Sequence, residues 1–488
     1  MHPLARFDRR FVWHPFTQMR DWLRREPIVL VAGRGAVLRD VHGREYLDAN
    51  SSIWTNLHGH NHPRLNAALR RQLTRVAHTS YLGLANEPAS LLAAELVVAA
   101  NPPGLRDQPP LTKVFYSDDG STALEVALKL AYEFARRTGR ARSPRFLSLA
   151  GAYHGDTVGA VSLGHIDLFH RAYAGLLFKT DPVMAPYCYR CPFNQARPER
   201  ADARAYRQCR WECVDQVEQR LAAHHRRHGE PYTALVFEPL IQGAAGMIPQ
   251  PDGWLRRVAG LARGHGALLI ADEVMTGFGR TGAEVAARAA SGKPVRRAAR
   301  ASLFASHHEG VQPDFLCLAK GLTGGYLPMA ATLTTRAVFD AFLGRYEEFK
   351  TFFHGHSYTA NQLGAAAARA SLALLRSEAT RRARLRLEAA LGRELDGLWA
   401  LPQVGDVRQV GLIAGVELVR DWPTRAAFDL RERVGARVCE AMARRGVLTR
   451  PIGNVVVLMP PYCATPTQVR RMVSALAESV DEVLGRRR

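Results

Sequence analysis

The sequence contains few lysines and no long apolar run. It has 6 lysines against 60 arginines in 488 residues. No apolar run approaches the roughly 18 residues that a membrane-spanning helix needs, and residues 1–10 lack the apolar core of a secretory signal peptide. The sequence therefore predicts no membrane partner, and the default expectation is a soluble protein of the cytoplasm.

The chain carries a formal net charge of +21 at pH 7. Such an excess of positive charge suggests nucleic acid as one possible partner. The arginines are spread along the chain, with small groups at 296–300, 381–385 and 486–488. No basic stripe interleaved with aromatic residues accompanies them. An anionic substrate or cofactor suits such a surface better, so we expect no nucleic-acid partner.

Seven cysteines is an odd number, and four of them form two pairs, Cys188 with Cys191 and Cys209 with Cys213. This spacing resembles a four-thiolate zinc site, but the second pair is spaced x3 instead of x2. Free cytosolic thiols on an insertion are the alternative that we favour. The histidine-rich stretch HGHNHP at 58–63 fits no common closed metal site. We predict no metal.

One of the scarce lysines, Lys320, follows the apolar stretch 315–319 and precedes a glycine-rich turn. In so arginine-biased a chain, a lysine is expected where arginine cannot serve. A desolvated lysine amine loses its proton and forms a Schiff base with an aldehyde, whereas arginine stays cationic. Lys320 is therefore a candidate anchor for pyridoxal phosphate (PLP); a surface lysine after a strand is the alternative.

Strands and helices alternate from residue 112 onward. The strand candidates are 113–117, 145–149, 234–238, 266–274, 315–319 and 329–334. The near-continuous apolar run at 266–274 is typical of a strand covered on both faces, and hence of a parallel sheet. Asp272 and Glu273 stand where this strand leaves the core, and ligands bind at that edge of open α/β sheets.

Further candidates for the same site follow other strands. Gly120 and Ser121 precede a strongly helical stretch, and small residues at a helix start leave amides open to a phosphate; a plain N-cap is the alternative. Tyr153 lies in a glycine-flanked loop suited to stacking on a flat ring. Asp272 has the chemistry to pair with a pyridinium nitrogen, the usual companion of a Schiff-base lysine. Together these residues predict one PLP site.

The motifs IADEV at 270–274, GFGRTG at 277–282 and KGLTGG at 320–325 resemble the class III aminotransferases of PLP fold type I. The resemblance runs nearly end to end. It implies an α/β fold, with a mostly parallel seven-stranded sheet flanked by helices in a large domain. A smaller α/β domain is then built from both chain ends.

The resemblance also implies domain boundaries. Residues 1–62 form an N-terminal segment of the small domain, 63–365 the large PLP-binding domain and 366–488 the C-terminal small domain. Within the large domain, we expect insertions at about 181–213 and 283–302.

Other motifs resemble one branch of the class. They are WHPFTQM at 13–19, SSIW at 51–54, YHGDT at 153–157, FHGHSY at 353–358 and TRPIG at 449–453. That branch aminates 8-amino-7-oxononanoate to 7,8-diaminononanoate in biotin biosynthesis, in a ping-pong reaction. The amino donor stays open between S-adenosylmethionine and lysine, because forms using S-adenosylmethionine carry tyrosine in place of Phe16 and tryptophan in place of Ile53.

The resemblance implies a role for each matched residue. Lys320 forms the Schiff base and carries the proton, and Asp272 binds the pyridine nitrogen. The phosphate is held by Gly120, Ser121 and Ser357 of the partner subunit, and the ring lies between Tyr153 and Val274. The substrate is bound by Arg450 at its carboxylate and by Phe16, Ile53, Trp54, Tyr153 and Gly355. A homodimer with shared active sites follows.

Two rivals remain. One is another class III aminotransferase that acts on ω-amino acids or diamines. The other is a basic, nucleic-acid-associated protein with a vestigial PLP fold. The intact set of Lys320, Asp272, Gly120 and Arg450 argues against such decay.

Overall fold

The computed structural model describes residues 1–282 and 302–485. The predicted insertion at 283–302 lies outside the described residues except for its last one, and so do the arginine groups at 296–300 and 486–488. Within 381–385, Arg384 is buried and Arg381 and Arg382 pair with Glu378. That group is therefore not a free basic patch.

The central element is a seven-stranded sheet. In spatial order its strands are Leu111–Ser117, Ala330–Thr335, Phe315–Leu318, Leu268–Asp272, Ala234–Phe237, Phe146–Leu149 and Asp181–Val183. Ala330–Thr335 runs in the direction opposite to that of the other six strands, which are parallel to one another. The predicted α/β fold with a mostly parallel seven-stranded sheet is confirmed.

Apolar side chains cover both faces of this sheet. Leu269 and Ala271 belong to one apolar cluster, whereas Leu268 and Ile270 of the same strand belong to another. Alternate residues of a strand point to opposite faces, so a strand buried on both sides must be apolar throughout. This explains the continuous apolar run that predicted the strand.

The register brings several strand ends to one edge of the sheet. Asp272 pairs with Cys317, and Ala271 pairs with Phe237 on the other side. Lys320 and Glu238 follow these neighbouring strands by one or two residues. The side chains that leave the sheet here are therefore neighbours in space.

Helices flank the sheet and continue to both termini. The α-helices are Pro3–Phe11, Met19–Trp22, Ser51–Trp54, Pro63–Leu73, Glu87–Ala100, Gly120–Arg137, Val158–Ser162, Asp167–His170, Ala203–Tyr206, Glu212–His228, Trp254–Gly264, Arg336–Asp340, Gln362–Leu375, Glu378–Asp396, Val434–Arg444 and Pro466–Leu484. The 3₁₀ turns are Pro103–Leu105, Arg171–Leu176, Cys188–Arg190, Ser306–Glu309, Lys320–Thr323, Tyr346–Glu348, Gly397–Ala400 and Leu430–Glu432. Across residues 1–282 and 302–485, no helix has the length and apolar character to cross a membrane.

Smaller sheets are built from the chain ends. Leu30–Arg34, Val37–Asp40 and Glu45–Asp48 form an antiparallel sheet, and Val447–Leu448 joins it parallel to Glu45–Asp48. A second sheet contains Val404–Val410, Ile413–Asp421, Val455–Leu458 and Pro451–Ile452, with Ala426–Ala427 at its side; a two-stranded sheet pairs Ile241–Gln242 with Ile248–Pro249. Both chain ends therefore contribute to smaller sheets, as predicted, while the proposed domain boundaries stay predictions.

The first residues of the stretch 181–213, which was predicted as an insertion, belong to the large sheet. Asp181–Val183 forms the edge strand of the large sheet and pairs with Phe146–Leu149. Further on, the Nε of Arg190 donates to Glu417 at 2.7 Å. These contacts, together with those of Arg200 and Arg204 to the strand Val404–Val410, tie the stretch to the body of the protein.

All seven cysteines are free. Burial raises the pKa of Cys188 to about 12 and that of Cys213 to about 11, so both are protonated at neutral pH. In the part of the chain that the structure describes, no group of three or more histidine, cysteine, aspartate or glutamate side chains is placed to hold a metal ion.

Candidate active site

Lys320 opens the turn that follows the strand Phe315–Leu318. Its backbone has a φ of 45°, in the left-handed region that non-glycine residues seldom adopt. Its ammonium lies 4.7 Å from the centroid of the Trp54 ring. Strained backbone of this kind occurs mainly where the surrounding structure fixes a functional side chain.

The environment of Lys320 lowers the pKa of its amine. Enclosure in the protein lowers the pKa of the Lys320 amine, and the nearby charge of Arg280 lowers it further, although Asp272 and Glu238 act in the opposite direction. A neutral lysine amine is a nucleophile, whereas an ammonium is not. A lowered pKa increases the neutral fraction of the amine, which suits the predicted Schiff-base role of Lys320.

Asp272 lies at the end of its strand and is only 5% exposed. Its Oδ2 is 2.7 Å from Nδ1 of His154, and its Oδ1 accepts the backbone N–H of Val274 at 3.0 Å. Two hydrogen bonds on different oxygens fix the orientation of the carboxylate. His154 is thus the residue that positions Asp272.

The start of the helix Gly120–Arg137 forms another wall of the pocket. Asp119 caps this helix, and its first amides precede the helical hydrogen-bond ladder. A Cβ on Gly120 would lie 2.6 Å from Cγ1 of Val274, and a Cβ on Gly155 would lie 2.1 Å from Oγ of Ser121. Both positions need glycine for close packing of the backbone, an arrangement suited to an anion.

Aromatic side chains surround the pocket mouth. The hydroxyl of Tyr153 donates to Asp156 at 2.8 Å, and the indole N–H of Trp54 donates to Asn50 at 3.0 Å. The ring of Phe16 lies edge-on to that of Tyr153, with centroids 6.5 Å apart. The N-terminal segment therefore reaches the entrance.

These elements enclose one cavity. It is lined by Trp54, Gly120, Ser121, Tyr153, His154, Gly155, Glu238, Ala244, Asp272, Val274, Met275 and Lys320. Seven of the predicted site residues are among them: Trp54, Gly120, Ser121, Tyr153, Asp272, Val274 and Lys320. Their roles stay predictions, but the fold does bring them together.

The other predicted residues lie elsewhere. Phe16 is at the entrance, and Ile53 is 44% exposed beside Trp54. Gly355, Ser357 and Arg450 are exposed and do not line the cavity of the single chain.

Sequence reasoning missed His154 and Glu238 as site residues. His154 stands within the YHGDT motif, next to Tyr153, and Glu238 closes a predicted strand. The argument that drew attention to Asp272, a carboxylate at a strand exit, applies equally to Glu238. Glu273, by contrast, turns away and accepts hydrogen bonds from Ala305 and Ser306.

The fold is that of the PLP-dependent class III transaminases, and the family is shown by sequence. Residues 20–294 and 298–480 match the family described as Aminotransferase class-III. The chain belongs to the class III aminotransferases.

Relatives of known name match along the full length. The chain is 47% identical over 482 residues to the adenosylmethionine-8-amino-7-oxononanoate aminotransferase of Geobacter sulfurreducens, covering 99% of this chain and 98% of the relative. The crystal structure of the enzyme of that name from Methanocaldococcus jannaschii has a TM-score of 0.85 at 37% identity and covers 99% of both chains. An amine transaminase from an uncultivated Pseudomonas species, solved in its PLP-bound form, has a TM-score of 0.83 at 32% identity and covers 97% of this chain and 99% of its own.

Pyridoxal phosphate is the cofactor of this family, which confirms the predicted cofactor. The residues present fit it. Lys320 offers an amine of lowered pKa, and Asp272 offers an oriented buried carboxylate. The open amides at the start of the helix Gly120–Arg137 suit a phosphate.

Proposed function

We propose that this protein aminates 8-amino-7-oxononanoate to 7,8-diaminononanoate, a step of biotin biosynthesis. The observation that carries the proposal is the 47% identity over 99% of the chain with an adenosylmethionine-8-amino-7-oxononanoate aminotransferase. The cavity holds the residues that a transamination needs, which supports it.

When bound, PLP supplies an aldehyde for the Schiff base and a ring that withdraws electrons from the reacting carbon. Lys320 would hold the cofactor through its Nζ. The same amine would move the proton at the substrate carbon that bears the reacting nitrogen, taking it from the amino donor and delivering it to the carbon of the keto acid. Asp272, oriented by its hydrogen bond with His154, would keep a proton on the ring nitrogen through the negative charge of its carboxylate. Gly120 and Ser121 would hold the phosphate with the open amides of their helix.

We assign the substrate chain to the entrance side of Lys320. Trp54 lines the cavity there, and Phe16 and Ile53 extend an apolar surface outward. A guanidinium binds a carboxylate through paired hydrogen bonds, so Arg450 is the proposed receptor for the far carboxylate of the keto acid.

A homodimer with shared active sites is part of the proposal. The stretch FHGHSY at 353–358 is the segment assigned to the neighbouring active site, and it carries Gly355 and Ser357. Phe353 and Tyr358 of this stretch are 72% and 61% exposed in the single chain. Apolar side chains so exposed are typical of a surface that a partner covers. Light scattering on the purified protein tests the expected dimer.

The amino donor is S-adenosylmethionine or lysine. Phe16 lacks the hydroxyl, and Ile53 lacks the aromatic face, of the forms that use S-adenosylmethionine, which supports lysine; the names of the relatives support S-adenosylmethionine. Purified enzyme is incubated with the keto acid and each donor in turn, while its absorption spectrum is followed. Loss of the Schiff-base band with one donor, together with diaminononanoate formation, identifies that donor. No product with either donor contradicts the proposal.

A second candidate is an aminotransferase for ω-amino acids or diamines, because the Pseudomonas amine transaminase is 32% identical over 97% of this chain. An amine screen with pyruvate or 2-oxoglutarate as acceptor distinguishes it. We place the enzyme in the cytoplasm; its seven free cysteines agree with a reducing compartment.

A further inference from the structure

A second acidic side chain, that of Glu238, faces the cavity beside Lys320. Glu238 follows the strand Ala234–Phe237 and is 6% exposed. Its Oε2 accepts the backbone N–H of Gly243 at 2.8 Å. Its Oε1 is buried and has no hydrogen-bond partner among the described residues.

The charged and titratable groups that act on Glu238 are Asp272, His154 and Lys320. Across the described parts of the chain, no arginine hydrogen-bonds to Glu238 or forms an ion pair with it. Lys320 acts on Glu238 through its charge, and within the described residues no hydrogen bond joins the two side chains. An unpartnered buried carboxyl oxygen costs free energy, so its place on a cavity wall indicates a ligand that donates to it.

The ligand indicated by this arrangement is cationic. Asp272 and Glu238 bring two acidic groups to one enclosed space, where charges interact strongly. Burial, and then the neighbouring charge of Asp272, raise the pKa of Glu238 to about 7. A bound cation with N–H donors would complete the hydrogen bonds of Oε1 and favour the ionised form.

We propose that Glu238 binds the ammonium group that the ketone substrate carries on the carbon next to its carbonyl. This inference rests on the proposed function and specifies its substrate class as α-amino ketones. Lys320 and Glu238 line the same cavity, so a ketone whose carbonyl carbon lies beside Lys320 has its neighbouring ammonium in the same enclosed space as Glu238. Glu238 would thus select the amino ketone over a plain ketone.

The test compares two ketones that differ only in this amino group, 8-amino-7-oxononanoate and 7-oxononanoate. The ratio of their kcat/KM values is measured for the wild type and for Glu238→Gln. We expect the preference for the amino ketone to fall at least about 10-fold in the variant, as for a lost charged hydrogen bond. An equal loss for both ketones overturns the inference and leaves Glu238 as a residue that only supports the pocket.

A binding measurement gives a readout apart from turnover. Calorimetry determines the Kd of 8-amino-7-hydroxynonanoate and of 7-hydroxynonanoate, which keep or lack the ammonium and have no ketone. The enzyme is used in its pyridoxamine phosphate form, which has no aldehyde for the ligand's amine to attack. In this wild-type enzyme the preference for the ammonium ligand should grow as the pH rises from 6 to 8 and Glu238 ionises. A ratio near one across this range overturns the inference, and this result needs no variant to fold.

The two proposals fail differently. If the wild type aminates 7-oxononanoate or other amines but not 8-amino-7-oxononanoate, the proposed function is wrong. If it aminates 8-amino-7-oxononanoate and Glu238→Gln keeps the full preference for that ketone, only the inference about Glu238 is wrong.

Discussion

Two buried acidic clusters of this protein differ in how their charges are paired. In the C-terminal sheet, Arg408 is 1% exposed and its Nη1 lies 2.8 Å from Asp406 and 2.7 Å from Glu417. In the active-site cavity, Asp272 and Glu238 have no such arginine within the described residues. In the first cluster one arginine pairs with both carboxylates, although burial still raises the pKa of Asp406 to about 6. In the second, Asp272 is hydrogen-bonded to His154, and Glu238 forms no ion pair within the described residues.

The difference separates a structural cluster from a functional one. Burial opposes ionisation of Glu417, yet Arg408 and Arg190 together hold its pKa below the usual value. In the cavity, burial prevails and raises the pKa of Glu238 to about 7. Strongly perturbed, incompletely paired groups in a cleft are typical of active sites, and well-paired buried ions are typical of a scaffold.

The largest expected effect is that of Lys320→Arg, which keeps the positive charge and removes the titratable amine. Arginine stays protonated, so we expect kcat/KM to fall by at least about 10³-fold and the Schiff-base band to disappear. Lys350→Arg, at an exposed lysine paired with Glu348, is the matched control. More than a tenth of the wild-type activity in Lys320→Arg would exclude the proposed role.

Arg408→Met should give the largest loss of stability. It leaves Asp406 and Glu417 buried without their shared cation, and we expect a decrease of about 3–5 kcal/mol in the free energy of unfolding. Arg39→Met breaks an exposed pair with Glu45, in which both side chains are 57% exposed, and should cost about 1 kcal/mol or less. Urea denaturation measures both; equal losses would contradict the contrast between the two clusters.

Asp272→Asn should lower the rate and spare the fold. The amide still offers His154 a hydrogen-bonding partner, but it does not stabilise a proton on the ring nitrogen. We expect kcat to fall about 10²–10³-fold, the range for losing one electrostatic stabiliser, while the melting temperature changes little. A loss of stability comparable to that of Arg408→Met would mean that Asp272 serves mainly as scaffold.

The smallest effect concerns pH. The folded-state pKa of Glu238, at about 7, lies above its unfolded value, so the folded state holds the proton more tightly. This contribution to stability is present below about pH 4.5 and is lost as the pH rises through about 7. Between these values the wild type should lose at least about 1 kcal/mol relative to Glu238→Gln. Urea denaturation at several pH values measures it, and parallel profiles would refute the raised pKa.

Much of the sheet could be predicted because the residues of its central strands indicate a buried strand without reference to the rest of the chain. Leu268–Asp272 is apolar throughout because it is buried on both faces, and such a run indicates a central strand. Asp181–Val183 has three residues, including a proline, and nothing local distinguishes it from a loop. Its strand character depends on Phe146–Leu149 beside it.

The residues of the candidate site also fall into those that the sequence could predict and those that it could not. Lys320 could be predicted because arginine cannot replace a Schiff-base amine in an arginine-rich chain. His154 lies 118 positions from Asp272, and only the folded sheet brings their side chains to 2.7 Å. Asp272 and Glu273 are adjacent carboxylates at the same strand exit, and backbone alternation alone decides that Asp272 faces the cavity.

The pairing of Val447–Leu448 with Glu45–Asp48 has a consequence for synthesis on the ribosome. The backbone N–H of Leu47 donates to Gly446, and that of Ala49 donates to Leu448. In chain order, Ala330–Thr335 is the last strand of the seven-stranded sheet. The seven-stranded sheet can therefore form before the fourth strand of the N-terminal sheet has been synthesised. The N-terminal strands therefore keep an unpaired edge until Val447–Leu448 has been synthesised, and a nascent chain with an unpaired strand edge is exposed to mispairing.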